Sequence, residues 1–216
     1  MDLASLTELG FGMLKSIMIF GLTLILSLPL GLLIYGGRVA KFAPLRWLVQ
    51  LYISIMRGTP LILQLMVVYF GPYYIFGIQI SASYRFYAVI IAFAINYAAY
   101  FAEIYRGGFQ AIPVGQKEAA FVLGYSPART FFTIQLPQMF RTVLPSITNE
   151  VITLVKDTSL AFGIAYLEMF TIAKQMASAQ ASMMPFFATG VFYYVFNMIV
   201  AVVMDRFEKR VSDYKI

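Results

Sequence analysis

Residues 11–35 read FGMLKSIMIFGLTLILSLPLGLLIY, a run of 25 residues with a single charge, Lys15. A helix needs about 20 apolar residues to cross the hydrocarbon core of a bilayer. This run therefore predicts a membrane span. A cleaved leader is the competing reading, and it fits poorly. The preceding residues carry Asp2 and Glu8 instead of basic side chains, and the apolar run is too long. The rest of the chain agrees with a lipid environment. Of its 216 residues 61% are apolar and 12% charged, with a mean hydropathy of +0.78. A water-soluble core of this length cannot hide that much apolar surface. The chain has no His and no Cys, which excludes His-based catalysis, thiolate nucleophiles, disulfides and zinc or iron–sulfur cages. No metal site and no catalytic residue is expected.

Working outward from the first span, the pattern predicts an all-α, polytopic membrane protein with five transmembrane helices in one domain, residues 1–216. Pro29 is a candidate kink. A basic loop, Gly36–Arg46, follows, then a helix over Pro44–Met56 whose Trp47 and Tyr52 suit a membrane interface. Arg57-Gly58-Thr59-Pro60 breaks that helix. Thr59 is expected to cap the next one and Pro60 to occupy its first turn. Leu61–Phe76 is the second span, with Gly71-Pro72 able to bend it. Arg85–Tyr105 is the third span, Thr142–Leu160 the fourth and Phe186–Met204 the fifth. A helix over Ile164–Ser178 is expected at the membrane surface, and Asp205–Ile216 is a charged tail.

The net charge is +6. With five spans, twelve of the sixteen Lys and Arg residues fall on one side: Arg38, Lys41, Arg46, Arg57, Arg106, Lys117, Arg129, Arg141, Arg206, Lys209, Arg210 and Lys215. The positive-inside rule makes that side cytoplasmic, with the N-terminus outside and the C-terminus in the cytoplasm. Topology thus explains the basic excess, and no nucleic-acid partner is expected.

The long polar stretch 106–141 carries its own helical punctuation. Pro113 opens a helix over Val114–Leu123. Gly124 is a left-handed stop. Ser126 caps a second helix, Pro127 takes its first position, and Pro137 ends or bends it. Two short helices at a sharp angle form a lever, a plug or a plain connector.

Inside the membrane, two helices are lopsided. At about 100° per residue, Ala94, Ala98 and Ala102 line one face of the third span as a small-residue packing ridge. Asn96, Tyr100 and Glu103 lie roughly opposite. On the fourth span Ser146, Asn149, Glu150, Thr153, Lys156 and Asp157 share one arc, away from Leu144, Ile147, Val151, Leu154 and Val155. Charges in lipid must face a wet cavity or one another. The alternatives are helix–helix hydrogen bonding, a Glu103–Arg106 pair at i,i+3, and an interfacial Lys156–Asp157. A phosphate-cradling Gly-x-x-x-x-Gly-Lys-Ser/Thr loop is absent, so this chain does not hydrolyse ATP by that route.

Glu118-Ala119-Ala120, then Gly124, then Ile134-x-Leu136-Pro137 resembles the coupling-loop signature of permease subunits in ABC importers. Arg57-Gly58-Thr59-Pro60, Ala102-Glu103-Ile104-Tyr105-Arg106-Gly107-Gly108 and Lys156-Asp157-Thr158-Ser159-Leu160 are similar to its polar amino acid branch. The resemblance spans nearly the whole chain. It implies a plasma-membrane transport subunit rather than an enzyme, paired with a second permease copy. It also implies a cytoplasmic ATP-binding subunit that carries the ATP, an extracytoplasmic solute-binding protein, and alternating access. No cofactor is expected on this chain. The loop residues Glu118, Ala119, Ala120, Gly124, Ile134, Leu136 and Pro137 would meet the ATPase. Small Ala119 and Ala120 would allow close packing, and Glu118 would offer a charge.

The stripes suggest a substrate pathway over Asn96, Tyr100, Glu103, Asn149, Glu150, Thr153, Asp157 and Ser159. Glu150 leads, because no basic residue lies one turn away. The acidic groups lean toward a basic or neutral amino acid. The alternatives are an ion-coupled secondary transporter, a scaffold, and an intramembrane enzyme using Lys156 and Ser159.

Overall fold

The computed structural model describes residues 2–212. Lys215 and the end of the charged tail lie outside the described residues. Every regular element among the described residues is helical. The helices are α1 (Leu3–Arg38), α2 (Ala43–Gly58), α3 (Leu61–Phe76), α4 (Tyr84–Gln110), α5 (Val114–Val122), α6 (Pro127–Thr130), α7 (Leu136–Asp157), α8 (Met169–Gln180) and α9 (Met184–Ser212).

Helix α4 is the axis of the bundle. It packs along α1 and against α2, α3 and α7, and Phe93, Phe101 and Tyr105 are wholly enclosed. Helix association in lipid depends on close packing, since the lipid tails are as apolar as the side chains. The alanine ridge serves that end. Ala98 and Ala102 are fully buried, and Gly31 of α1 lies so close that a Cβ there would stand 2.8 Å from Phe101 Cβ and 3.1 Å from the Ala98 carbonyl oxygen. Gly108 is tighter still. A Cβ there would meet Val143 Cγ1 at 2.2 Å, so α4 and α7 cross at a residue without a side chain.

Three helices are individually long and apolar enough to cross a membrane: α1, α4 and α9. Helices α2 and α3 qualify only together, with a bend of 112° at their junction. The fourth sequence span falls on α7, which is amphipathic and does not qualify by composition alone. Its 22 residues nevertheless reach about 33 Å.

Several boundaries differ from the sequence expectation. Pro29 sits inside an unbroken α1. The third helix continues from Tyr105 to Gln110, so the 106–141 stretch begins as helix. Pro137 neither ends nor separates a helix. From Pro127 the chain stays helical through a π turn, Phe131–Gln135, into α7. The wider i→i+5 turn lies just where a proline ring would otherwise meet the carbonyl four residues back. The expected surface helix starts at Met169, not Ile164. A 3₁₀ segment over Thr158–Ile164 ends at Ala165, which is left-handed at φ 54°. Thr59 does not cap α3, because its hydroxyl donates back to the Ile55 carbonyl at 2.8 Å. Pro60 stands just before α3, not in its first turn.

Candidate functional site

The α2–α3 break is built from its own sequence. Proline forces the residue before it out of the helical region, and Thr59 is extended at φ −125°, ψ 149°. The break strips the last carbonyls of α2 of their helical partners. Two buried amides replace them. Gln64 Nε2 donates to the Met56 and Thr59 carbonyls at 2.9 and 3.1 Å, and to Thr59 Oγ1 at 2.8 Å. Asn96 Nδ2 donates to the Met56 carbonyl at 3.1 Å and to Gln64 Oε1 at 2.9 Å. Asn96 thus fastens the break to α4. Gln64, absent from the sequence candidates, was detectable as a lone amide in an apolar helix.

Next to the break lies an ionic cluster. Glu103 of α4, with 11% of its side chain exposed, meets Arg106 Nε at 2.9 Å, Arg38 Nε at 3.1 Å and Arg57 Nη1 at 3.7 Å. The i,i+3 pair with Arg106 is therefore present, and it is one edge of a larger knot joining α1, α2 and α4. The Arg57 guanidinium also lies 5.5 Å from the centre of the Tyr100 ring, within cation–π range. Glu150 of α7 is half-buried and lies in electrostatic reach of Arg57 and Asp157. No basic residue lies one turn from Glu150 on α7, but Arg57 of α2 acts on it across the bundle. Tyr97 donates to Asp157 Oδ2 at 2.7 Å, tying α4 to the end of α7.

The structure therefore gathers Tyr100, Glu103, Glu150 and Asp157 around Arg57 and Tyr97. It does not gather all the sequence candidates. Asn96 is committed to Gln64. Asn149 and Thr153 are exposed on the outer face of α7, with Thr153 Oγ1 donating to the Asn149 carbonyl at 2.9 Å. Ser159 Oγ donates to the Lys156 carbonyl at 2.7 Å.

The 111–135 segment forms the second candidate surface. Gly124 is left-handed at φ 76°. Its N–H donates to the Phe121 carbonyl at 2.9 Å, and the Tyr125 N–H to the Ala120 carbonyl at 2.9 Å, the double closure of a Schellman turn. Ser126 Oγ accepts from the Arg129 N–H at 3.2 Å, and Pro127 opens α6. Phe121 and Val122 are 81% and 83% exposed, an apolar edge left uncovered by the described residues. The two alanines divide. Ala119 and Glu118 are exposed, whereas Ala120 is buried against the chain itself. Ile134 and Leu136 are half-buried and Pro137 is exposed.

Residues 27–213 match the family of binding-protein-dependent transport system inner membrane components. The chain belongs to this family. It is 35% identical over 202 residues to the arginine transport system permease protein ArtQ of Bacillus subtilis (strain 168), covering 93% of this chain and 91% of ArtQ. It is 32% identical over 195 residues to the L-cystine transport system permease protein TcyB of the same organism, covering 89% and 82%. A crystal structure of an amino acid ABC transporter with histidines superposes with a TM-score of 0.86 at 29% identity, covering 97% of this chain and 99% of that one. The protein is thus an ABC importer permease, a multi-pass inner-membrane transport subunit with the all-helical fold of that class.

The permease also holds a buried carboxylate that sequence reading did not find. Glu168 has no exposed surface. It caps α8 by accepting from the Phe170 and Thr171 N–H groups, both at 2.7 Å, and from Thr171 Oγ1 at 2.8 Å. Tyr193 of α9 adds a donor at 3.2 Å and Ser16 of α1 another at 3.4 Å. One carboxylate so joins three helices. Glutamate is not a usual cap residue, and its partners on the other two helices, Ser16 and Tyr193, lie far away in the chain, so no local signal marked it.

Proposed function

We propose that this permease moves a polar amino acid inward by alternating access, as one half of a permease pair. The observation that carries this reading is the grouping of Arg57, Tyr100, Glu103, Glu150 and Asp157 beside the exposed polar face of α7. A zwitterion needs both signs of charge, and here they come from different helices. Arg57 is shared with Glu103 and sits on a half-exposed aromatic ring, so it can turn a donor toward a carboxylate. Glu150 and Asp157 offer oxygens to an ammonium. Asn149, Thr153 and Ser159 continue the polar lining, while Asn96 keeps the α2–α3 break in shape. Polar residues on an outer face are costly against lipid, which supports a second permease copy covering α7, with the pathway between the two. The names of the relatives, with arginine in one and cystine in the other, support an amino acid and leave its identity to experiment. The excess of carboxylates leans toward a basic or neutral one.

In this reading the bundle has five spans, with α2–α3 as one broken span and α7 as the fourth, in a single domain. The N-terminus is outside and the C-terminus inside. The 106–141 region faces the cytoplasm, where Glu118, Ala119, Gly124 and the exposed edge of α5 meet an ATP-binding subunit. Ala120, Ile134, Leu136 and Pro137 shape the elbow behind that contact. ATP is hydrolysed on the partner, this chain holds no cofactor, and an extracytoplasmic binding protein delivers the substrate. The test is the ATPase rate of the purified permease–ATPase complex across amino acids, with the binding protein added. One amino acid or a narrow class should stimulate hydrolysis. Equal rates with and without every amino acid would contradict the reading.

A further inference from the structure

A cavity of about 590 Å³ opens where the ends of α1 and α4 meet the start of α5 and the π turn. Its polar wall carries Arg38, Arg106, Lys117 and Gln135, and its apolar wall includes Tyr35 and Phe109, whose rings stack at 4.6 Å. The charges do not cancel. No carboxylate lines it among the described residues; Glu103 takes both arginines through Nε, while Arg106 Nη1 goes to Gln110 Oε1 at 2.6 Å. The terminal nitrogens of Arg38, Nη2 of Arg106 and the Lys117 ammonium find no partner among the described residues. Gln135 is only 8% exposed, and it lines the cavity. Its amide offers a ligand in the cavity both a donor and an acceptor.

We propose that this cavity takes the phosphate of an anionic phospholipid headgroup. Clustered basic side chains between spans suit such headgroups on the cytoplasmic side. Guanidinium groups with free terminal nitrogens match phosphate oxygens. The start of α2 supplies the reason for lipid over free phosphate. Phe42, Trp47 and Leu48 are exposed there, next to the cavity residues Val39 and Gln50. An exposed Trp with apolar neighbours marks the headgroup level of a bilayer. The bound phosphate would touch Arg38 and Arg106 at the ends of two spans and Lys117 on α5, and so tie the loop helix to the bundle.

The leaflet assignment rests on the cytoplasmic placement proposed above. Binding in detergent does not, so a failed titration leaves that placement standing. The permease purified with its ATPase is titrated with dioctanoyl phosphatidylglycerol, dioctanoyl phosphatidylcholine and inorganic phosphate, and adducts are read by native mass spectrometry. Phosphatidylglycerol should bind about tenfold more tightly than phosphatidylcholine, and Lys117→Gln should weaken it by about fivefold while leaving phosphatidylcholine unchanged. Gln135→Leu should also weaken phosphatidylglycerol. Lys117 is exposed, so its variant reads binding without a folding defect. Equal affinity for the two lipids, or undiminished phosphatidylglycerol binding in Lys117→Gln, overturns the proposal. Inorganic phosphate binding as tightly as the lipid overturns the headgroup assignment.

Discussion

Gln64 and Asn96 act as a pair at the α2–α3 break. Gln64→Leu removes three donated hydrogen bonds and the acceptor of Asn96 Nδ2. Leaving buried polar groups unmet costs about 1–3 kcal/mol each. Thermal unfolding in detergent should show Gln64→Leu and Asn96→Leu each lowering the midpoint. The double variant should lose less than the sum, because both amides serve the Met56 carbonyl. Additive losses would show that the amides do not act together. Glu150 is a different case. Its neighbours are charges and not a packed hydrogen-bond set, so Glu150→Gln should leave the midpoint and ATPase assembly unchanged. It should shift substrate affinity by about tenfold, the equivalent of 1.4 kcal/mol, or change which amino acid is preferred. A variant with normal affinity, rate and selectivity takes Glu150 out of the pathway.

Local elements were the most legible part of the sequence. Gly124, Ser126 and Pro127 mark one turn and one helix start through interactions within a few residues, and the structure places all three in those roles. Replacing Gly124 by Val forces a β-branched residue to φ 76°, at a cost of about 1–2 kcal/mol. In the reconstituted complex Gly124→Val should weaken ATPase binding or leave hydrolysis running without uptake. Normal coupled transport would remove the elbow from the coupling path. What stayed hidden depends on partners distant in sequence. Thr59 looked like a cap, but the pre-proline geometry turned its hydroxyl back to Ile55. Pro137 looked like a stop, but the π turn before it absorbed the ring. The angular stripes separated the buried alanine ridge of α4 and the buried apolar face of α7 from the polar arcs. They could not say that Asn96 would be taken up by Gln64, that Arg57 would arrive from α2 beside Glu150, or that Glu168 would join α1, α8 and α9.

At the scale of the whole molecule, the charge distribution and the helical packing make one statement about orientation. The ends of α1, α2 and α4 meet in the Arg38–Arg57–Arg106 knot on Glu103, and basic residues follow in the 106–141 region. The native chain has no Cys, so single probes report topology without background. Cys introduced at Ser5 or Ser81 should react with an impermeant thiol reagent added outside sealed cells, and Cys at Ser126 should not. Outside labelling at Ser126 would invert the topology.

The central claim is that this permease moves an amino acid inward only when a partner hydrolyses ATP. It is tested most directly in proteoliposomes holding the permease with its ATPase, with ATP enclosed, and the binding protein and labelled amino acid outside. Uptake should require ATP and the binding protein together, persist with ionophores that collapse ion gradients, and change in rate or preference with Glu150→Gln. Uptake that proceeds without ATP and stops with the ionophores would contradict the account and mark an ion-coupled transporter.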